Sequence, residues 1–183
     1  MLFMFIATGA TAENASKAAE EQNEMFEKAV KIIKKYEGLH QSRSWPFIGY
    51  GHKVLPGEKY KRGTVLTEKQ ADALLRSDLK KLLKVFRQQG QHALLLATLA
   101  YNIGQGNVKK SQVYKKIIAG NTDIKSDYLS HSRYNGRKLR QLQRRRAEEF
   151  ETLFNKTVAL YEYPSKRRNL LTFNLSCCYH EII

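Results

Sequence analysis

One carboxyl in this chain stands where acid chemistry could be done. Glu37 closes a pattern in which Phe26, Ala29, Val30, Ile33 and Tyr36 recur at three- and four-residue spacing, one face of a helix. Gly38 behind it suits a helix C-cap, because glycine enters the left-handed conformation without a Cβ penalty. The partial negative charge of a helix end disfavours a carboxylate and so favours the protonated form that a general acid needs. A polar and aromatic segment then leads to Ile48-Gly49-Tyr50-Gly51-His52. His52 is a candidate catalytic base, since imidazole changes charge near neutral pH; the other reading is a structural hydrogen-bonding group. Ser42, Ser44 and Tyr50 are the remaining polar side chains close by. No Asp, Glu or Cys occurs from Gly38 through Gly57, and the next acid, Glu58, follows Pro56-Gly57 and reads as a solvated turn.

The surrounding elements are mostly helical. A first helix is expected over about 24–37. Residues 38–63 are rich in Gly and Pro and read as loop with short strands such as Trp45–Tyr50. Thr67 with Gln70 three residues on is a capping-box signature, and Ala71, Leu74, Leu75, Leu79, Leu82, Leu83 and Phe86 give the helix it opens an apolar stripe. Residues 92–103 are apolar almost all round, as a central, surrounded helix would be. Ser111 caps a further helix that stops at Gly120-Asn121. A polar segment follows, then a last helix over about 138–155, with Leu139, Leu142, Ala147, Phe150, Leu153 and Phe154 expected inward.

The order Tyr36-Glu37-Gly38, then Ile48-Gly49-Tyr50-Gly51-His52, then Tyr101-Asn102-Ile103-Gly104, Ser111 to Asn121, and Arg145-Arg146-Ala147-Glu148-Glu149 resembles the phage-type lysozymes, glycoside hydrolase family 24. The resemblance covers roughly 25–155. It implies a mainly α (α+β), lysozyme-like fold with a small lobe carrying a β-hairpin and a larger helical lobe. It implies Glu37 as the catalytic acid and Arg145 or Arg146 as the arginine that reaches it. Tyr50, Tyr101 and Asn102 are candidates for a substrate-binding cleft wall, with core packing the other reading of the two tyrosines. The family site also holds an Asp or Cys after the Glu, and a Thr just before Ile-Gly-Tyr-Gly. Here the Thr position is Phe47 and the acid is absent, so only the Glu carries over. Two carboxyl groups are the usual requirement at a glycosidic bond. With one, the second role falls to the N-acetyl group of the substrate or to a water held by neutral groups.

Composition narrows the remaining readings. A hydrophobic share of 42% with only 3 prolines excludes a disordered chain. The formal charge of +15 predicts attraction to polyanions. The only cysteines, Cys177 and Cys178, are adjacent and cannot clamp distant parts of the fold. Residues 1–12 resemble the later part of a secretory signal ending in Ala10-Thr11-Ala12, without its basic start. The expected organisation is therefore a signal remnant and linker over 1–24, a catalytic domain over 25–155, and a tail of unknown structure over 156–183. A periplasmic or secreted monomer is expected, acting on peptidoglycan and drawn by charge to anionic wall polymers, with no metal or organic cofactor and no specific nucleic acid. The leading reading is an N-acetylmuramidase. The alternatives are a lytic transglycosylase, a wall-binding module without catalysis, and, on charge alone, a nucleic-acid binder lacking any recognised motif.

Overall fold

The computed structural model describes residues 7–154. Seven helices and two small hairpins follow in order: α1 Ala7–Glu37, β1 Phe47–Ile48, β2 His52–Lys53, α2 Glu68–Val85, α3 Ala93–Ile103, α4 Gln105–Lys110, α5 Gln112–Ile118, α6 Lys125–Ser130, β3 Arg133–Tyr134, β4 Arg137–Lys138 and α7 Arg140–Leu153. The chain is mainly α with two-stranded hairpins, as expected. Residues 1–6 and the stretch from 155 onward, with Cys177 and Cys178, lie outside the described residues.

Helix α1 is longer than its apolar stripe predicts. It runs back through Ala10-Thr11-Ala12 and the segment read as a linker, where Ala and Glu, both strong helix formers, predominate. Residues 13–24 contribute nothing to the hydrophobic core; packing starts at the partly buried Met25 and continues through Phe26, Ala29, Val30, Ile32 and Ile33.

Helix α3 is the centre of the large lobe. Every residue from Ala93 to Ala100 is buried, and α1, α2, α4 and α7 all pack against it. Thr98, the one hydroxyl in that stretch, donates to the Leu94 carbonyl at 2.9 Å, so no polar group there is stranded. Helix α2 opens on the expected capping box, with Thr67 and Gln70 exchanging side-chain and backbone bonds. Ser111 caps α5 by accepting from the Tyr114 N–H.

The last helix departs from its sequence reading. Leu139 is 40% exposed and Ala147 faces solvent, while Arg145, Arg146 and Glu149 are buried beside Phe150 and Leu153. Positions 145, 146, 149, 150 and 153 form one helical stripe. Its polar members go inward because they satisfy one another, and that outweighs hydrophobicity as the rule for which face is buried.

Candidate active site at the end of the first helix

Gly38, at φ 66, donates its N–H to the Lys34 carbonyl at 3.1 Å and ends α1, leaving Glu37 in the last turn. The chain then doubles back, and the His40 N–H donates to the Gly49 carbonyl at 2.8 Å, tying this segment to the β1–β2 hairpin. The strands pair antiparallel, Phe47 with Lys53 and Ile48 with His52. Gly51, at the tight end of the hairpin with φ 93, approaches the catalytic candidate directly. A Cβ placed there would stand 3.2 Å from Glu37 Oε2. Only glycine fits such an approach without something giving way.

The other carboxyl oxygen is held from the opposite side. Arg145 Nη1 donates to Glu37 Oε1 at 2.7 Å, and Arg145 Nε donates to Glu149 Oε1 at 2.8 Å. Arg146 pairs with Glu149 Oε2 at 2.9 Å and donates from Nη2 to Asn102 Oδ1, also at 2.9 Å. Tyr128 completes the set by donating its hydroxyl to Glu149 Oε2 at 2.8 Å. Glu149 and Arg146 are fully buried, whereas the Glu37 side chain remains 19% exposed. Burial works against the charge on Arg145, but Glu149 and Glu37 outweigh it and hold the guanidinium charged. Beside this network, Lys35 and Tyr36 both donate to Glu148, and the Arg145 guanidinium lies 5.9 Å from the Tyr36 ring centre. Burial and Glu148 push the Tyr36 hydroxyl up to about 12.

His52 is fully engaged. Its Nδ1 lies 2.5 Å from Asp78 Oδ2 and its Nε2 lies 3.0 Å from Glu58 Oε2. Burial alone would lower its basicity; the two carboxylates outweigh that and raise it above the ordinary imidazole value of 6.5. Glu58 is accordingly no solvated turn residue. It also accepts from the Leu55 N–H at 2.9 Å, and the bonds from His52 and Leu55 lower its ordinary value of 4.5. This is a clamp that fixes the hairpin to α2, with neither ring nitrogen of His52 left over.

Tyr50 belongs to the core: it is 6% exposed, its hydroxyl donates to Glu68 at 3.3 Å, and the Lys34 ammonium lies 5.0 Å from its ring centre. Core packing, not a cleft wall, describes its ring. Tyr101 donates to the Tyr50 carbonyl at 2.9 Å and so ties α3 to the hairpin; burial, with Asp78 and Glu37 nearby, raises its hydroxyl well above the ordinary range. Asn102 is half-buried, with its amide oxygen taken by Arg146. Of the residues singled out from sequence, Glu37 and Arg145 are thus in direct contact, Arg146 and Asn102 join them through Glu149, and Tyr50 and His52 support the hairpin. Three partners were missed. Glu149 was legible, since it lies three and four residues from the paired arginines, the spacing at which helical side chains meet. Nothing local marks Asp78 or Tyr128, which come from distant helices.

A family model described as phage lysozyme matches residues 34–149. The endolysin of Bacillus phage B103 is 32% identical over 140 residues, a stretch covering 68% of this chain and 51% of that protein; the chain therefore spans about half the length of that relative. Among solved structures, the muramidase domain of SpmX from Asticaccaulis excentricus superposes with a TM-score of 0.59 at 28% identity, covering 69% of this chain and 95% of that one. An endolysin from Escherichia coli O157:H7 phage FAHEc1 superposes with a TM-score of 0.56 at 26% identity, covering 70% and 91%. The matched stretch begins before Glu37 and ends on Glu149, so it takes in the whole network just described, and the chain belongs to the phage lysozyme family.

Proposed function

We propose that this chain is a peptidoglycan hydrolase that cleaves glycan strands between N-acetylmuramic acid and N-acetylglucosamine, with Glu37 as general acid. The observation that carries the reading is the division of labour at that carboxyl: Oε1 is fixed by Arg145 and Oε2 is turned to the hairpin at Gly51. A group held on one oxygen and presented on the other is oriented to give its proton to a glycosidic oxygen lying between the lobes. Arg145 is then a positioning residue, and Arg146, Glu149 and Tyr128 position Arg145. Tyr101 and Asn102 border the same region and are proposed to contact the glycan with their exposed parts. His52 keeps the hairpin in place instead of acting as a base, because both its nitrogens are bound. The site of action on this reading is the cell wall, outside the cytoplasm, and the N-acetyl group of the substrate or a water near Ser42 and Ser44 supplies the second role.

One observation favours a second reading. Glu58 and Asp78 are both bound to His52 and Glu68 is bound to Tyr50 and Lys34, whereas Glu37 keeps Oε2 turned to the hairpin at Gly51. A lytic transglycosylase also needs only one acid, since the muramyl 6-hydroxyl displaces the leaving group. Mass analysis of products from purified peptidoglycan separates the two, because hydrolysis adds water and transglycosylation leaves an anhydro end. In the same assay Glu37→Gln should lose roughly 10²–10⁴ in rate, the usual worth of general acid catalysis. Full activity of folded Glu37→Gln would sink Glu37 as the acid on both readings, whereas wall binding with no product released by the unsubstituted chain would mark a wall-binding protein.

A further inference from the structure

The side of α7 turned away from Glu37 carries charge that nothing among the described residues neutralises. Between Tyr128 and Ala147 the chain has no Asp or Glu, while Arg133, Arg137, Lys138, Arg140 and Arg144 are all exposed there. The acids at either border are engaged elsewhere, Asp127 with Lys116 at 2.7 Å and Glu148 with Lys35 at 2.7 Å. Among the described residues, none of these five cations makes an ion pair.

The β3–β4 hairpin concentrates this charge by design of its turn. Asn135 and Gly136 both take positive φ, 49 and 77, the two-residue connection that fixes register in a tight hairpin. That register sets Arg133 directly opposite Lys138. Like charges directly opposite destabilise a strand pair. The one hydrogen bond Arg133 makes in the hairpin is a long one, to the Gly136 carbonyl at 3.4 Å. Beneath the pair lies a cavity of about 410 Å³ lined by Arg133 and Lys138 together with Ser126, Ser130, Ser132 and Gln143. Its lining holds two cations, three hydroxyls and an amide, and no carboxylate. Gln143 and Ala147, which line it from α7, stand two residues on either side of Arg145, about 200° around the helix. The cavity is therefore separate from the Glu37 site.

We propose that this cavity binds phosphodiester groups of an anionic wall polymer and so holds the large lobe on the wall while the other face of α7 supports the acid. A tetrahedral phosphate accepts from an arginine fork, an ammonium and hydroxyls at once, and an anion between Arg133 and Lys138 relieves their repulsion. Arg137, Arg140 and Arg144 beyond the cavity fit a ligand whose charge repeats along a chain. The identity of the polymer's location rests on the wall reading above; the anion site itself does not.

The test uses the full chain carrying Glu37→Gln, so that the wall stays intact. Its binding to walls bearing poly(glycerol phosphate) is compared with binding to the same walls stripped of the polymer by hydrofluoric acid. Arg133→Ala with Lys138→Ala should weaken binding to polymer-bearing walls by about tenfold or more, as two charge-assisted contacts would, and leave binding to stripped walls unchanged. Lys109→Ala with Lys110→Ala, an equal loss of exposed charge elsewhere, should keep most of the preference. Inorganic phosphate should raise the melting temperature of the parent protein and not that of the hairpin variant, which also shows that the variant folds. The proposal is overturned if the two double variants lose the preference equally, if the hairpin variant binds stripped walls equally poorly, or if it binds polymer like the parent. Tighter hairpin-dependent binding to a single-stranded oligonucleotide than to poly(glycerol phosphate) would overturn it in favour of nucleic acid. Activity of the Glu37 protein on stripped peptidoglycan is read separately, so failure of the hydrolase reading is told apart from failure of this one.

Discussion

Replacing Gly51 by alanine tests whether the hairpin is placed for the sake of the Glu37 carboxyl. Two effects are expected. The first is backbone strain, since φ 93 is a conformation that side-chain-bearing residues rarely adopt; it should cost about 1–2 kcal/mol. For a domain of this size that lowers the melting temperature by roughly 2–8 °C. The second is the contact of the new methyl with Glu37, 3.2 Å from Oε2 and 3.4 Å from Cδ, so that the carboxyl must yield by a few tenths of an ångström. It cannot turn freely, because Arg145 holds Oε1 at 2.7 Å. If a misplacement of 1 Å costs about 10²-fold, a few tenths should lower kcat by roughly three- to tenfold. Gly57→Ala separates the two effects, because Gly57 has nearly the same φ, 91, and nothing within 4 Å of a new Cβ. Release of reducing ends from purified peptidoglycan, measured well below the melting temperature, should therefore fall for Gly51→Ala and not for Gly57→Ala, while both melt earlier. Equal kcat in the two variants would refute the reasoning: either the methyl does not reach the carboxyl or the carboxyl is not the acid.

Two further outcomes are expected. His52 has its basicity raised in the folded state, so the stability it contributes is fully present below its ordinary value of 6.5 and is lost as pH rises through the higher folded value. Melting temperatures of the wild type should fall over that alkaline range, and those of His52→Asn should not; a parallel decline in both would remove the clamp as the cause. Glu149→Ala should cost about 3–5 kcal/mol in urea unfolding, because it leaves Arg145 and Arg146 buried without the carboxylate they share. Glu149→Gln, which keeps the shape but not the charge, should also depress kcat through Arg145, and retention of wild-type stability in either would contradict the network.

The helical frame was readable because its signals are local. The capping box at Thr67, the cap at Ser111, the C-cap at Gly38 and the uniformly apolar α3 each involve residues close in sequence. The same holds for Glu37, whose position depends on its own helix end. Two short helices, α4 and α6, were not foreseen, since six residues carry too little periodicity to register. The β3–β4 hairpin lies in a polar segment where Asn135-Gly136 is a strong turn signal, but strands of two residues carry too little alternation to register. What could not be read locally was which polar groups would find partners. Tyr50 and Glu58 looked available for substrate or solvent because their partners, Glu68 and Lys34 for one and His52 for the other, come together only in the fold. The inward turn of Arg145 and Arg146 is the same case, since a helix read by hydrophobicity alone is rotated to the wrong face.

That inward turn decides how one acid can serve. Glu37 and Glu149 face Arg145 and Arg146, two carboxylates against two guanidinia, so the cluster is balanced when Glu37 is ionised. Here Glu149 is the better partner for both arginines: it is fully buried and takes Arg145 Nε, Arg146 and the Tyr128 hydroxyl, whereas Glu37 receives a single Nη1 bond and remains partly in water. Arg145 therefore keeps a buried partner besides Glu37. On the proposed reading a glycan strand settling against the hairpin would meet Oε2, the oxygen turned to Gly51, while Oε1 stays on Arg145. On this account Arg145 sets the direction in which Glu37 presents its other oxygen, Glu149 holds Arg145 in place, and both come from adjoining turns of one helix.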